Sequence, residues 1–309
     1  MKALDVLAMG EPLVEFNQVE RQGEMLFLPG YGGDTSNAAI SAARNGAKAA
    51  YFTALGDDAF GRQIADLWDR EGVDRSSVLT RPGAPTGLYF ISHDAKGHHF
   101  SYYRAGSAAS LVMASEVPAA KIASARVLHV SAISQAISTS ACDAVFHALK
   151  LAREAGTTIS YDTNLRLRLW PLERARAVTH AAVAMSDIAR PGLDDARQLT
   201  GLQGPEEICD FYLRLGCRIV ALTMGTDGAM VALPGERRVI PAHKVEAVDA
   251  TGAGDAFDGA FLSEWLRCGD AFQAADYANA AAALSTLGYG AVAPLPRREA
   301  VEAFLGRAG

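Results

Sequence analysis

With 309 residues, 50% of them hydrophobic and 21% charged, the sequence has the balance of a globular protein able to bury a large core, which excludes disorder. A net charge of -6 excludes a polyanion-binding surface, because nucleic-acid binders need a clustered excess of Lys and Arg. A small anionic ligand stays compatible, since a few placed arginines and backbone N–H groups hold one without a basic exterior.

The chain opens on the short apolar strand Val6–Gly10, preceded by residues that turn acidic too early for a secretory segment. No apolar run approaches the ~20 residues of a membrane span, so no membrane partner is expected and the cytoplasm is the default compartment. Residues 13–17 and 25–28 alternate like half-exposed strands. After Gly30-Tyr31-Gly32-Gly33, an alanine-rich helix is expected over 34–45, with Ser, Thr and Asp available to cap it. A strand over 49–53 and a helix over 58–71 follow.

Residues 86–92 and 99–104 form two more alternating strands around the turn-like His93-Asp94-Ala95-Lys96-Gly97, which reads as a hairpin. From Arg126 the texture changes to βα repeats: strand 127–130, a helix to 155, strand 158–161, a helix to 185, strand 219–223. Strands alternating with helices imply a parallel sheet covered on both faces. The expected architecture is a single α/β domain over 1–309: a three-layer α/β/α core with a mostly parallel sheet, plus a small β-sheet lid assembled from about 11–30 and 86–104. The small residues of 280–283 read as tight helix packing.

The most informative segment is Val248-Asp249-Ala250-Thr251-Gly252-Ala253-Gly254-Asp255, which passes from a polar turn into the apolar helical pattern Phe257, Ala260, Phe261, Leu262, Trp265. Gly252 and Gly254 permit close backbone approach, so the first N–H groups of the helix face an anion while its dipole favours negative charge. A carboxylate at Asp255 stands within reach of a hydroxyl beside a bound phosphate and accepts its proton, a role worth roughly 10²–10⁴-fold in rate. Walker A is absent, and Phe257 stands where a dinucleotide fingerprint needs its third glycine. Taken alone, a GAGD turn before a helix is equally well a simple helix cap.

The longer string Asp249-Ala-Thr251-Gly252-Ala-Gly254-Asp255 resembles the signature of the ribokinase-like (PfkB) kinases, as do Gly32-Gly33-Asp34-Thr35-Ser36-Asn37-Ala38-Ala39 and Leu55-Gly56-Asp57-Asp58-Ala59-Phe60-Gly61. The resemblance implies a ribokinase-like fold, ATP and Mg²⁺. It makes Asp255 the catalytic base, with the N–H groups of Gly252, Ala253 and Gly254 stabilising the transferring phosphoryl. It puts Asp249 and Thr251 where many members bind a monovalent cation such as K⁺. Thr223, Gly225 and Gly228 would contact ATP phosphates and ribose, and Asn279 would lie near adenine. Where the family carries an Asn-x-x-Glu segment that organises hydrated Mg²⁺, this chain is matched to Pro191-Gly192-Leu193-Asp194, with Asp194 keeping the acid and Pro191 losing the amide.

Arg104 closes a hairpin strand and Arg166 follows a core strand; ends of parallel strands are where α/β sheets bind ligands, and a guanidinium fork matches a carboxylate. A lone edge-strand arginine is otherwise a solvated charge. Gly10-Glu11-Pro12-Leu13-Val14-Glu15-Phe16, Tyr102-Tyr103-Arg104-x-Gly106-Ser107 and Asp162-Thr-Asn-Leu-Arg166 together resemble 2-keto-3-deoxygluconate kinases. By that resemblance a sugar acid is phosphorylated on its 6-hydroxyl, with Gly33 and Asn37 on sugar hydroxyls, Tyr89 and Tyr103 lining the lid side, and Arg104 and Arg166 on the acid end. Cross-strand packing explains the two tyrosines equally well. A neutral-sugar kinase such as a fructokinase, and a silent binder that keeps only the fold, are the alternatives. The seven histidines and four cysteines show no metal-ligand spacing, so the thiols read as reduced. The exposed lid edge suits a homo-oligomer.

Overall fold

The computed structural model describes residues 2–94 and 97–306. Its strands, in chain order, are β1 Leu4–Met9, β2 Leu13–Arg21, β3 Glu24–Gly32, β4 Ala49–Phe52, β5 Ala54–Gly56, β6 Leu79–Arg81, β7 Leu88–Asp94, β8 Gly97–Tyr103, β9 Ala125–Ser131, β10 Thr158–Asp162, β11 Ile188–Arg190, β12 Ile219–Thr223, β13 Ala229–Leu233 and β14 Glu236–Ile240. An eight-stranded sheet runs β14-β13-β12-β11-β10-β9-β1-β4, parallel from β12 to β4, with β13 and β14 added as an antiparallel edge.

The period-2 geometry of a strand sorts the core. In β1, Leu7 and Met9 join an apolar layer with Leu128, Val130 and Tyr161, whereas Val6 and Ala8 face the opposite layer with Tyr51, Val127 and Phe261. Both layers are buried, so the strands read as continuous hydrophobic runs. The first layer is covered by helices such as Thr139–Glu154 and Pro205–Leu215, the second by Asp34–Arg44, Ala253–Cys268 and Ala271–Ser285. Ala278, Ala280 and Ala281, all 0% exposed, let the last of these approach closely, the packing expected of the small-residue stretch.

A separate four-stranded sheet, β3-β2-β7-β8, draws on residues 13–32 and 88–103. The hairpin is longer than expected, with His93 and Gly97 inside its strands and Asp94 opposite Gly97; Ala95 and Lys96, the tip of the expected turn, lie outside the described residues. His98 joins the expected strand, so that β8 begins at Gly97. The short β11 and the β13–β14 ribbon escaped the sequence reading. Residues 188–190 are too few to show a period, and Arg190 at their end cuts the apolar run short.

Helix Ala59–Glu71 starts at Asp58, whose carboxylate accepts from Gly61 N at 2.7 Å. Helix Asp34–Arg44 lacks the side-chain cap expected of it. Gly33 is the cap residue at φ 101, in the left-handed region, and a Cβ there would collide with the Glu11 carbonyl. Among the described residues no helix is long and apolar enough to cross a membrane.

Candidate active site

The parallel strands end together on one rim, and a cavity of about 710 Å³ opens there between the large sheet and the lid. Its wall takes Glu11 from beyond β1, Asp162 from β10, Arg190 from β11 and Thr223 from β12, together with Gly252, Gly254 and Asp255 from the glycine turn. Gly33, Asn37, Tyr89, Arg104 and Arg166, all expected in the site, are also brought to this wall.

The glycine turn is held before the helix begins. Asp249 Oδ1 accepts from Thr251 N at 2.9 Å and Thr251 Oγ1 at 2.6 Å, and Asp249 Oδ2 accepts from Gly290 N at 2.9 Å. Gly252 then turns the chain at φ 76, and an added Cβ would press on Ala291 at 3.0 Å. The Ala253 N–H donates back to the Ala250 carbonyl at 3.2 Å, so this amide, expected to face phosphate, is occupied in closing the turn. The first bond within the helix is Ala256 N to Gly252 O at 2.8 Å, which leaves the Gly254 and Asp255 amides as the orphan donors of a helix start. At Gly254 a Cβ would meet nothing within 4 Å, so the space before these amides is open.

Asp255 is half-buried at the start of that helix and accepts a 2.8 Å hydrogen bond from Asn37 Nδ2. Its pKa is raised well above the usual carboxylate range by burial and then by the Asp34 carboxylate, with Asp258 adding; the Asn37 bond and the Arg166 charge oppose the rise. Asn37 Oδ1 is buried with no partner, an acceptor aimed at something the protein does not supply. Asp34 is braced by Thr35 N at 2.8 Å and Asn164 Nδ2 at 3.1 Å.

On the lid side, Tyr89 Oη donates to Glu15, and Arg104 forms an ion pair with Glu11, whose side chain is 0% exposed. Glu11 also accepts from Ser107 Oγ at 2.5 Å; burial raises its pKa against the pull of Arg104 and Ser107. Arg166 is freer, 50% exposed and 3.9 Å from Asp195.

Several expected residues stand elsewhere. Tyr103 is 64% exposed and packs edge-on against Phe90 at 5.7 Å, outside the cavity; Tyr102 lines it instead, because Phe100, Tyr102 and Arg104 share a face at period 2. Asp194 is 91% exposed and ion-paired with Arg197 at 3.2 Å. One step along the helix, about 100° round, Asp195 lines the cavity and accepts from Leu165 N at 2.9 Å, so the segment that faces the site is Gly192 to Asp195 and not Pro191 to Asp194. Asn279 spends its amide on the Ile240 and Pro241 carbonyls at 3.0 and 3.1 Å, pinning the end of β14. Gly225 and Gly228 shape the turn between β12 and β13, with φ 59 and 94, and do not line the cavity, whereas Thr223 does. Arg190, Asp162 and Asp258 were missed, and nothing in the sequence pairs residues 190 and 258.

No group of three or more His, Cys, Asp or Glu among the described residues could hold a metal directly. Asp195 is a carboxylate on the cavity wall, the oxygen-donor type that Mg²⁺ and its water shell take.

The model of the pfkB family of carbohydrate kinases matches residues 11–298. A 2-dehydro-3-deoxygluconokinase of Thermoproteus tenax is 36% identical over 295 residues, covering 91% of this chain and 88% of the relative. Fructokinase-1 of Oryza sativa subsp. japonica is 34% identical over 307 residues, covering 94% of each. Among solved structures, a putative ribokinase II from E. coli in complex with ATP and Mg²⁺ superposes with a TM-score of 0.89 at 25% identity, covering 98% of this chain and 99% of that one.

Proposed function

The chain belongs to the pfkB family of carbohydrate kinases, and from that premise we propose that it transfers the γ-phosphoryl of ATP to the 6-hydroxyl of 2-keto-3-deoxygluconate. The observation that carries this reading is the meeting of Asp255, pinned by Asn37, with the orphan amides of Gly254 and Asp255 in one cavity that Arg104 and Arg166 also line. The hydroxyl proton passes to Asp255 as the hydroxyl oxygen bonds to the γ-phosphorus; the bond from that phosphorus to the bridging oxygen breaks, and ADP leaves. The Gly254 and Asp255 amides and the helix dipole stabilise the charge on the transferring group. Bound Mg²⁺ would neutralise the phosphates, with Asp195 oriented towards its water shell.

Gly33 and Asn37 hold sugar hydroxyls in this reading, with Tyr89 and Tyr102 over the ring. Thr223 contacts the nucleotide, and the Asp249–Thr251 loop, whose oxygens converge beside the glycine turn, takes a monovalent cation such as K⁺. The whole chain, 1–309, acts as one unit beneath its lid in the cytoplasm, where four free cysteines remain reduced. The apolar outer face of the lid, with Met25 66% and Phe27 41% exposed, serves as a homo-oligomer contact.

One observation favours a second reading, a neutral-sugar kinase acting on fructose: Glu11 already neutralises Arg104. Measuring ADP release with 2-keto-3-deoxygluconate, fructose and ribose separates the two. The sugar acid is expected to give the highest kcat/KM; a preference for fructose would replace the first reading by the second.

A further inference from the structure

Beneath the glycine turn lies an ion pair for which the phosphoryl-transfer chemistry gives no role. Arg190 and Asp258 have side chains 3% and 1% exposed, and the Arg190 Nε donates to Asp258 Oδ1. Nη1 donates to the Ala221 carbonyl at 2.7 Å, Nη2 reaches the Gly254 carbonyl at 3.5 Å, and the guanidinium lies 4.1 Å over the Phe257 ring. One planar group thus ties β11 and β12 to the first turns of the helix Ala253–Cys268, a task for which a lysine has the charge but not the fork. Stability alone does not account for the pair, because a buried ion pair is often no better than apolar residues of the same volume. Its contacts, Gly254, Phe257 and Asp258, surround Asp255.

We propose that Arg190 is a positioning residue for phosphoryl transfer, acting through Asp258 and the Gly254 carbonyl to set the glycine turn and its carboxylate against the cavity. This rests on the reading of Asp255 as the base. The groups that face Asp255 are Asp34 and Asn37 from the helix Asp34–Arg44, Asp258 from its own helix, Arg166 from beyond β10 and, from the lid, Tyr89 of β7. Behind them stand Asp162 of β10 and His129 of β9, whose Nε2 is 3.9 Å from Asp258 and which burial holds neutral. Arg190 is therefore the cation that offsets Asp258 in a nest of carboxylates. Without it the uncompensated Asp258 raises the pKa of Asp255; without Asp258 the uncompensated Arg190 lowers it.

The test is the pH dependence of kcat for wild type, Arg190→Met, Asp258→Asn and the double variant, with ATP and whichever sugar the substrate panel prefers. The acid limb should move up by about one unit in Arg190→Met, move down in Asp258→Asn and return towards wild type in the double variant. In Arg190→Met, kcat should also fall about tenfold or more as the turn loosens. Acid limbs that coincide in all four proteins would overturn the proposal, as would an Arg190→Met shift that Asp258→Asn leaves uncorrected. Should Arg190→Met fail to fold, the Asp258→Asn profile against the double variant decides it. Asp255→Asn run in parallel separates the two claims: loss of turnover there with unmoved limbs elsewhere defeats only the role of Arg190, whereas retained turnover defeats the base assignment.

Discussion

On the core side of the cavity, Arg190 ends a strand of the sheet that separates two extensive apolar layers, and Asp255 and Asp258 sit on the helix that covers one of them. On the lid side, Tyr89 and Tyr102 belong to, and Arg104 directly follows, a four-stranded sheet whose own buried cluster is Leu13, Tyr89 and Ile91, and whose outer face exposes Met25, Phe27 and Tyr103. A sheet with so thin a core draws its order from what it packs against. In the proposed reading this difference divides labour: the groups assigned to the reaction are fixed by buried structure, and those assigned to sugar choice ride on the part with the thinnest core. Glu15 joins the two, bonded to Tyr89 and close enough to Asp249 to feel its charge.

Substitutions on the two sides should therefore fail in different ways. Asp255→Asn should cut turnover by roughly 10²–10⁴-fold in an ADP-release assay, because nothing else takes the hydroxyl proton. Its thermal stability should hold or rise slightly. The folded-state pKa of Asp255 is raised, so this group's contribution to stability is present at low pH and is lost as pH rises through that pKa; at neutral pH the ionised form is a burden that Asn removes. A large fall in Tm would mark Asp255 as a structural cap instead.

Arg104→Ala comes next. KM for the sugar acid should rise about 10–100-fold, the cost of a lost charged hydrogen bond, with kcat less affected and KM for fructose changing less. Equal losses for both sugars would mean that Arg104 serves only to hold Glu11.

Asn37→Ala should lower kcat severalfold at neutral pH and shift the acid limb upward, because the bond that favours ionised Asp255 is gone. An unmoved limb would detach Asn37 from the base. The smallest effect belongs to Tyr103→Ala, outside the cavity, which should leave KM within about twofold, surface changes away from a site being near neutral. If KM rose tenfold, the lid would have to reach the sugar by its other face.

The same contrast governs what was legible before the structure. Local signals carried the chemistry: the glycine turn, the alanine-rich helix after Gly33 and the two hairpin strands are each fixed by neighbours in sequence. Parity errors appeared where a side chain's direction depended on register. Tyr103 and Arg104 are one residue apart and so point to opposite faces, and one helical step separates solvent-exposed Asp194 from cavity-lining Asp195. Arg190 and Asp258 stayed hidden because residues 68 apart in the chain show no pattern that pairs them, and a buried arginine in a three-residue strand looks like an interruption. Asn279 and the Ala253 amide show a different limit: a group can stand in the expected segment and already be hydrogen-bonded.

The central claim is tested most directly by a crystal structure with the sugar acid and a non-hydrolysable ATP analogue bound and the lid closed. The account predicts the reacting hydroxyl within about 3 Å of an Asp255 carboxylate oxygen and the terminal phosphorus beside the Gly254 amide. A closed complex with that phosphorus remote from Asp255, or with another carboxylate at the hydroxyl, would contradict it.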